Sequence, residues 1–154
     1  MRDQMKGKSE AAVDVFRSGF NCAQAVFSAH AAVLGVSESD ALRIACGFGG
    51  GMGRLQETCG AVTGAFMLIG CRYGMTAKDD GAAREKTYAR VRQFADRFIQ
   101  KNTSISCRTL LGCDLQSDEG RKYFKDHDLY ETVCVKCVRD AASIVDQMLL
   151  EESK

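Results

Sequence analysis

The sequence predicts an all-α fold, a compact multi-helix domain with one central buried helix. Three observations carry this. Proline is absent from all 154 residues, and proline is the residue least tolerated inside a helix. Apolar residues recur at the three- and four-residue spacing that lines one helix face. Glycines stand where these segments stop, at Gly19, Gly35, Gly74 and Gly112, as expected of helix ends. No segment shows the sustained two-residue alternation of a half-buried strand. The length suits one domain over residues 1–154 with a substantial core.

The first helix is expected over Lys8–Ser18 and the second over Cys22–Leu34. Ser37 with Asp40 forms a capping box for a third, ending near Cys46. A glycine-rich loop, Gly47–Gly53, follows. The fourth helix, Cys59–Tyr73, is apolar nearly all round and is therefore expected at the centre of the domain. Its small residues Gly60, Ala61, Gly64 and Ala65 would let a neighbouring backbone come close. Thr76 with Asp79 is expected to cap a long fifth helix reaching about Gln100, and a short helical turn to run from Cys107 to Gly112. Residues Asp114–Tyr130 read as polar loop with one helical turn, and the last helix as Val133–Leu150.

Composition narrows the function. Net charge is +1 and the pI about 7.5, which gives no basic excess for nucleic acid. The charges of Arg84–Arg97 are interleaved along one helix and read as a solvated face. There is no apolar run long enough to span a bilayer, and the start, MRDQMKGKSE, is polar. The expectation is a cytoplasmic protein with neither membrane insertion nor nucleic acid among its partners. The eight cysteines are 22, 46, 59, 71, 107, 113, 134 and 137. In a reducing compartment such usage points to metal binding or redox chemistry, although free cysteine also packs well as a small hydrophobe.

The residues before four of these cysteines are informative. Asn21 precedes Cys22, Thr58 precedes Cys59, Ser106 precedes Cys107, and Thr132 stands two before Cys134. Asn, Ser and Thr are preferred N-caps. Each would place its cysteine in a first helical turn, where free N–H groups and the helix dipole favour a thiolate. Cys59, with a glycine loop before it and Gly60 and Gly64 behind it, is the first candidate for a lowered pKa. Helical periodicity puts Cys22 with Val26, Ala29 and Val33, and Cys134 with Val138, Ala141, Val145 and Met148, so both should face inward. Cys137 falls towards the edge of that stripe.

Other chemistries fit less well. Cys134-Val-Lys-Cys137 lacks the preceding strand of a thioredoxin motif and the following histidine of a c-type haem site. Four-cysteine zinc sites usually use two such pairs, and only one is present. Iron–sulfur clusters accept widely spaced cysteines. The glycine loop lacks the lysine and Ser/Thr of a phosphate-binding loop, and reads instead as a flexible approach to Cys59. Glu57 is either a nearby acid or first-turn charge. His30 and His127 are the only histidines. His30 reads as a surface or satisfied core residue, His127 as part of a polar loop, and no Cys–His pairing suggests a papain-like nucleophile.

The segments NCAQAVF (21–27), GGGMGRLQETCGAVTGAFMLIG (49–70), SCRTLLG (106–112) and CVKCVRDAASIV (134–145) resemble, in order, the C_GCAxxG_C_C family of redox-active proteins. The most specific element is Cys59-Gly-Ala-Val-Thr-Gly64. Carried over, the family cysteines fall on Cys22, Cys59, Cys107 and Cys134. Cys46, Cys71, Cys113 and Cys137 are extras of this chain, with Cys137 an alternative to one of the four as ligand. The chain is also similar to a domain of split-Soret cytochromes, where such a domain accompanies an iron–sulfur site; this chain has no CxxCH for the haem partner. The resemblance implies a four-cysteine site holding an iron–sulfur cluster or similar metal centre for electron transfer, as an oxidoreductase or electron carrier with an unidentified redox partner. The alternatives are a metal-free thiol–disulfide protein or sensor using the same cysteines, and a structural zinc or helical interaction domain. A homodimer is left open.

Overall fold

The computed structural model describes residues 7–152. Most of the polar start of the chain lies outside these residues. Among the described residues the fold is all-α, with no strand; one isolated bridge pairs Thr58 with Ser106. The helices are α1 (Lys8–Arg17), α2 (Cys22–Ala31), α3 (Glu38–Ala45), α4 (Gly60–Tyr73), α5 (Gly81–Asn102), α6 (Cys107–Leu111), α7 (Asp118–Asp126) and α8 (Lys136–Glu151). Short 3₁₀ turns extend α2 over Ala32–Leu34 and follow α3 over Cys46–Phe48. A wider π-type turn, Tyr130–Val135, runs directly into α8.

Helix α4 is the central one, as its composition predicts. Ala61, Val62, Ala65 and Leu68 are fully buried, and α2, α5 and α8 pack around it while α1 lies against α2 and α8. The small residues of α4 allow the close approach to α2. A Cβ on Gly64 would lie 2.8 Å from the Ala23 carbonyl oxygen, nearer than real Cβ contacts come. Phe94 and Phe98 of α5 are fully buried and stack with ring centroids 6.1 Å apart. His30 is a satisfied core residue: it is wholly buried, with Nε2 2.7 Å from Asp146 Oδ1 of α8 and Nδ1 3.3 Å from the Val26 carbonyl.

Three of the six caps expected from the sequence form. Asn21 and Gln24 form a reciprocal capping box at α2, Ser37 accepts from the Asp40 N–H at α3, and Ser106 accepts from the Thr109 N–H at α6. Three boundaries need correction. Helix α5 is capped by Asp80, whose side chain accepts from the Ala83 N–H, and not by Thr76 with Asp79. The Asp114–Tyr130 stretch holds the nine-residue helix α7, capped by Ser117; its polar character reflects an exposed amphipathic helix rather than a loop. The last helical segment starts earlier than expected, because the π-type turn brings Tyr130–Val135 into it. No described helix is long and apolar enough to cross a membrane.

A cysteine-lined cavity

Five cysteines line one cavity of about 330 Å³ among the described residues: Cys22, Cys59, Cys107, Cys134 and Cys137. They arrive from four separate places in the fold. Cys22 opens α2, Cys59 precedes α4, Cys107 opens α6, and Cys134 and Cys137 lie on the π-type turn and the start of α8. The rest of the wall is mainly apolar, with Phe16, Phe20, Leu110, Leu111, Phe124 and Val133. Phe16 stacks on Tyr130 with centroids 4.6 Å apart, and the Tyr130 hydroxyl donates to the Phe16 carbonyl at 3.0 Å. This pair ties the end of α1 to the π-type turn.

Two glycines leave room for sulfur. A Cβ on Gly60 would lie 2.4 Å from Cys22 Sγ and 2.8 Å from the Phe48 carbonyl oxygen. Gly51 has φ +66°, and a Cβ there would lie 2.7 Å from the Cys107 Cβ. Any side chain at either position would displace a cysteine or the backbone around it. The glycine-rich segment is thus a close-packed wall against Cys22 and Cys107. Asn21 secures this wall by donating from Nδ2 to the Cys46 carbonyl at 2.8 Å.

Backbone bonds join the segments before α4 and α6. The Cys59 N–H donates to the Ile105 carbonyl at 2.7 Å, the Cys107 N–H to the Glu57 carbonyl at 2.7 Å, and the Arg108 N–H to the Gln56 carbonyl at 3.2 Å. Glu57 therefore contributes its backbone to the site, and its exposed side chain faces solvent. This pairing changes the expected start of α4. Thr58 does not cap it; Cys59 itself occupies the N-cap position, with φ −49° and ψ 133° and no side-chain capping bond. Cys134 is also not in a first helical turn, since it lies inside the π-type turn, and Thr132 Oγ1 bonds to the Asp128 carbonyl instead of capping. Cys22 and Cys107 are the two whose caps form as the sequence predicts.

The expected lowering of the Cys59 pKa is overturned. A hydrogen bond with the Cys137 thiol, followed by burial, holds Cys59 well above its ordinary value. Burial pushes Cys22 up to about 11, with the charge of Cys59 adding to it. Cys107 is pushed up to about 12 by burial and by the charges of Cys59 and Cys22, and Cys134 is raised by burial and then by Cys22, Cys59 and Cys107. Helix-terminal N–H groups do act, since backbone bonds from Ala61 and Val62 lower the Cys59 value. They are outweighed by desolvation and by thiols that cannot all ionise together.

The cavity thus brings together all four cysteines that the sequence selects. It also draws in Cys137, which is 2% exposed and not at the edge of the apolar stripe. Cys113 is half-buried, and its charge raises both Cys107 and Cys134, so it adjoins the site. Cys46 and Cys71 are exposed and stand apart from it. Gln56 is a site residue that sequence reasoning misses. It is 3% exposed with φ 55°; its Nε2 donates to the Cys113 carbonyl at 2.9 Å and its Oε1 accepts from the Leu115 N–H at 2.8 Å. It also bonds to the Cys107 side chain, lowering that thiol's pKa against the larger raising effects. Its place in a polar, loop-like run gave no signal of burial. Among the described residues, no group of three or more His, Cys, Asp or Glu side chains is arranged to hold a single metal ion.

The fold and cavity define a helical protein with clustered, unpaired thiols. The family described as "Putative redox-active protein (C_GCAxxG_C_C)" matches residues 20–148, and the chain belongs to it. Neither curated proteins nor solved structures give a significant match.

Proposed function

We propose that the cavity is a redox centre in which Cys22, Cys59, Cys107 and Cys134 hold an iron–sulfur cluster for electron transfer. The observation that carries this reading is the convergence of thiols from separate segments on one apolar cavity of about 330 Å³. The donor set is right in kind, since thiolate sulfur is the ligand such clusters require. The cradle also fits, because the Gly51 and Gly60 positions have no space for a Cβ beside Cys107 and Cys22. A cluster is several ångströms across, so its ligands need not converge on one point. This favours it over a mononuclear zinc site, for which no ligand group is formed among the described residues.

When bound, a cluster would supply a one-electron couple. The protein's own part is to orient, exclude water and tune. The bonds between residues 56–59 and 105–108 fix the backbones of Cys59 and Cys107 relative to each other. Phe16, Phe20, Phe124 and Leu111 keep the site poor in water. Gln56 gives the Cys107 sulfur a polar partner, and hydrogen bonds to ligand sulfur help set a cluster's potential. A reducing, cytoplasmic environment suits eight free thiols.

The test is metal and acid-labile sulfide analysis, with visible absorption, on protein prepared without oxygen. Iron and sulfide in equal amounts with a brown chromophore are expected. Colourless protein free of iron and sulfide would overturn the reading, and stoichiometric zinc would replace it with a structural site.

A further inference from the structure

Helix α5 runs for 22 residues, and Phe94 and Phe98 are the two that it buries fully. One flank is covered by the end of α8, where Arg90 bonds to Glu152 and Arg97 to Glu151. Helical spacing puts Tyr88, Ala95 and Ile99 in one row on the opposite side, with Arg92 and Asp96 along its edge. Tyr88 is 52% and Ile99 40% exposed. Arg92 and Asp96 are exposed, and Ala95 between them is half-buried. A single exposed apolar side chain calls for no partner, but the charges in this row follow a pattern. The other arginines of α5 pair within the chain, Arg84 with Glu85, Arg90 with Glu152 and Arg97 with Glu151. Among the described residues Arg92 and Asp96 have no ion-pair partner, although they stand about one turn apart. When two α5 helices run antiparallel about a two-fold axis level with Phe94, Arg92 of each copy comes level with Asp96 of the other. Tyr88 then comes level with Ile99 of the second copy to within one residue rise, about 1.5 Å. A parallel pair would instead set Arg92 against Arg92 and Asp96 against Asp96.

We propose that this row of α5 is a self-association surface, and that its partner is a second copy of the chain bound antiparallel about a two-fold axis near Phe94. The apolar contacts of Tyr88 with Ile99, made twice by the symmetry, supply the attraction, because exposed ion pairs add little of it. The charges decide orientation and register, since any arrangement that opposes like charges is penalised. Ala95 at the centre leaves room for the two helices to approach. The same patch is used on both copies, so the contact closes at two chains. No residue of α5 lines the cysteine cavity, so the surface is separate from the proposed redox centre and does not depend on it.

The experiment measures the mass of the full-length chain by sedimentation equilibrium over a range of concentrations. A reductant is present, so that the exposed Cys46 and Cys71 cannot cross-link copies. The wild type is expected at twice the chain mass of 16.8 kDa. Arg92→Asp sets acid against acid at both charged contacts, and Asp96→Arg sets base against base. Each variant alone is expected to sediment as one chain at concentrations where the wild type is a dimer. Mixed in equal amounts, the two variants bring opposite charges together at both contacts, and the mass is expected to return to that of two chains. That recovery also shows that both variants fold, and a pairing of Arg92 with Asp96 inside one chain cannot produce it. Tyr88→Glu with Ile99→Glu is expected to stay at one chain throughout. A single-chain wild type, a charge variant that dimerises alone as the wild type does, or a mixture that stays at one chain would overturn the proposal.

Discussion

The contact between α2 and α4 can be probed with two glycines of the same helix. At Gly64 a new Cβ would lie 2.8 Å from the Ala23 carbonyl oxygen, and 3.3 Å from the Ala23 Cα and the Val26 Cβ. The nearest obstacle is backbone, so no rotamer change relieves it. Restoring ordinary contact, which begins at 3.4 Å, requires α2 to retreat by roughly 0.6 Å in a close-packed interior. Overpacking of this kind costs about 1–3 kcal/mol. At Gly70 nothing lies within 4 Å of the added atom, and Ala is preferred over Gly inside a helix by about 0.5–1 kcal/mol. That preference is common to both sites and cancels in the comparison. Gly64→Ala should therefore be less stable than Gly70→Ala by about 1–3 kcal/mol. At about 2–4 °C per kcal/mol for a chain of this size, the melting temperatures should differ by roughly 2–12 °C, with Gly70→Ala at or above the wild type. Thermal unfolding of the reduced protein followed by circular dichroism provides the measurement. Equal shifts in the two variants, or stabilisation by Gly64→Ala, would refute the reading of a tight α2–α4 contact.

Other perturbations address the site and its surroundings. Gln56→Leu leaves the Cys113 carbonyl and Leu115 N–H without their buried partner, and should cost about 1–3 kcal/mol in denaturant unfolding; a cost under about 0.5 kcal/mol would mean that water replaces the amide. His30→Leu strands the Asp146 carboxylate, which is 8% exposed, and should destabilise by about 3 kcal/mol, with part recovered in the double variant His30→Leu/Asp146→Leu. Cys46→Ser and Cys71→Ser, at exposed thiols, should change stability by about 0.5 kcal/mol or less and, under the proposed cluster function, leave iron content equal to that of the wild type; loss of iron in either would refute the choice of ligands. The pH dependence has a definite sign. The Cys22 thiol moves from an ordinary value of 9.0 to about 11 and that of Cys107 from 9.0 to about 12, so the native state holds these protons more tightly than the unfolded chain. Their contribution is fully present below pH 9 and is lost as pH rises through 11 and 12. Urea midpoints of metal-free, reduced protein should fall across that window, and a rise there would contradict the assignment.

Much of the architecture was legible in residue order. Apolar spacing located the helices, and the small residues of Gly60–Ala65 anticipated the approach of α2. The assembly of Cys22, Cys59, Cys107 and Cys134 around one cavity was legible too. Two of the errors, the Thr58 cap and the acidity of Cys59, share a cause: they depend on contacts between distant segments. Thr58 looks like an N-cap until residues 56–59 pair with 105–108. Cys137 is in ordinary helical phase with the buried Ala141, Ile144 and Met148 of α8, so its inward direction is present in the sequence and is missed when the stripe is centred on Cys134. The capping argument for an acidic Cys59 considered one helix end at a time. In the fold, burial and neighbouring thiols decide the direction.

The backbone bonds between residues 56–59 and 105–108 have a further consequence. They act as a clip that closes a long loop containing all of α4 and α5, independently of how the helices pack. Cys59 and Cys107 therefore belong to one mechanical unit. Cys22 and Cys134 are carried by α2 and the π-type turn, outside that loop. Loosening of the bundle would leave Cys59 and Cys107 at their mutual spacing, because the clip does not depend on it. The positions of Cys22 and Cys134 relative to that pair are set by helix packing alone, Cys22 by the close α2–α4 contact at Gly60 and Gly64.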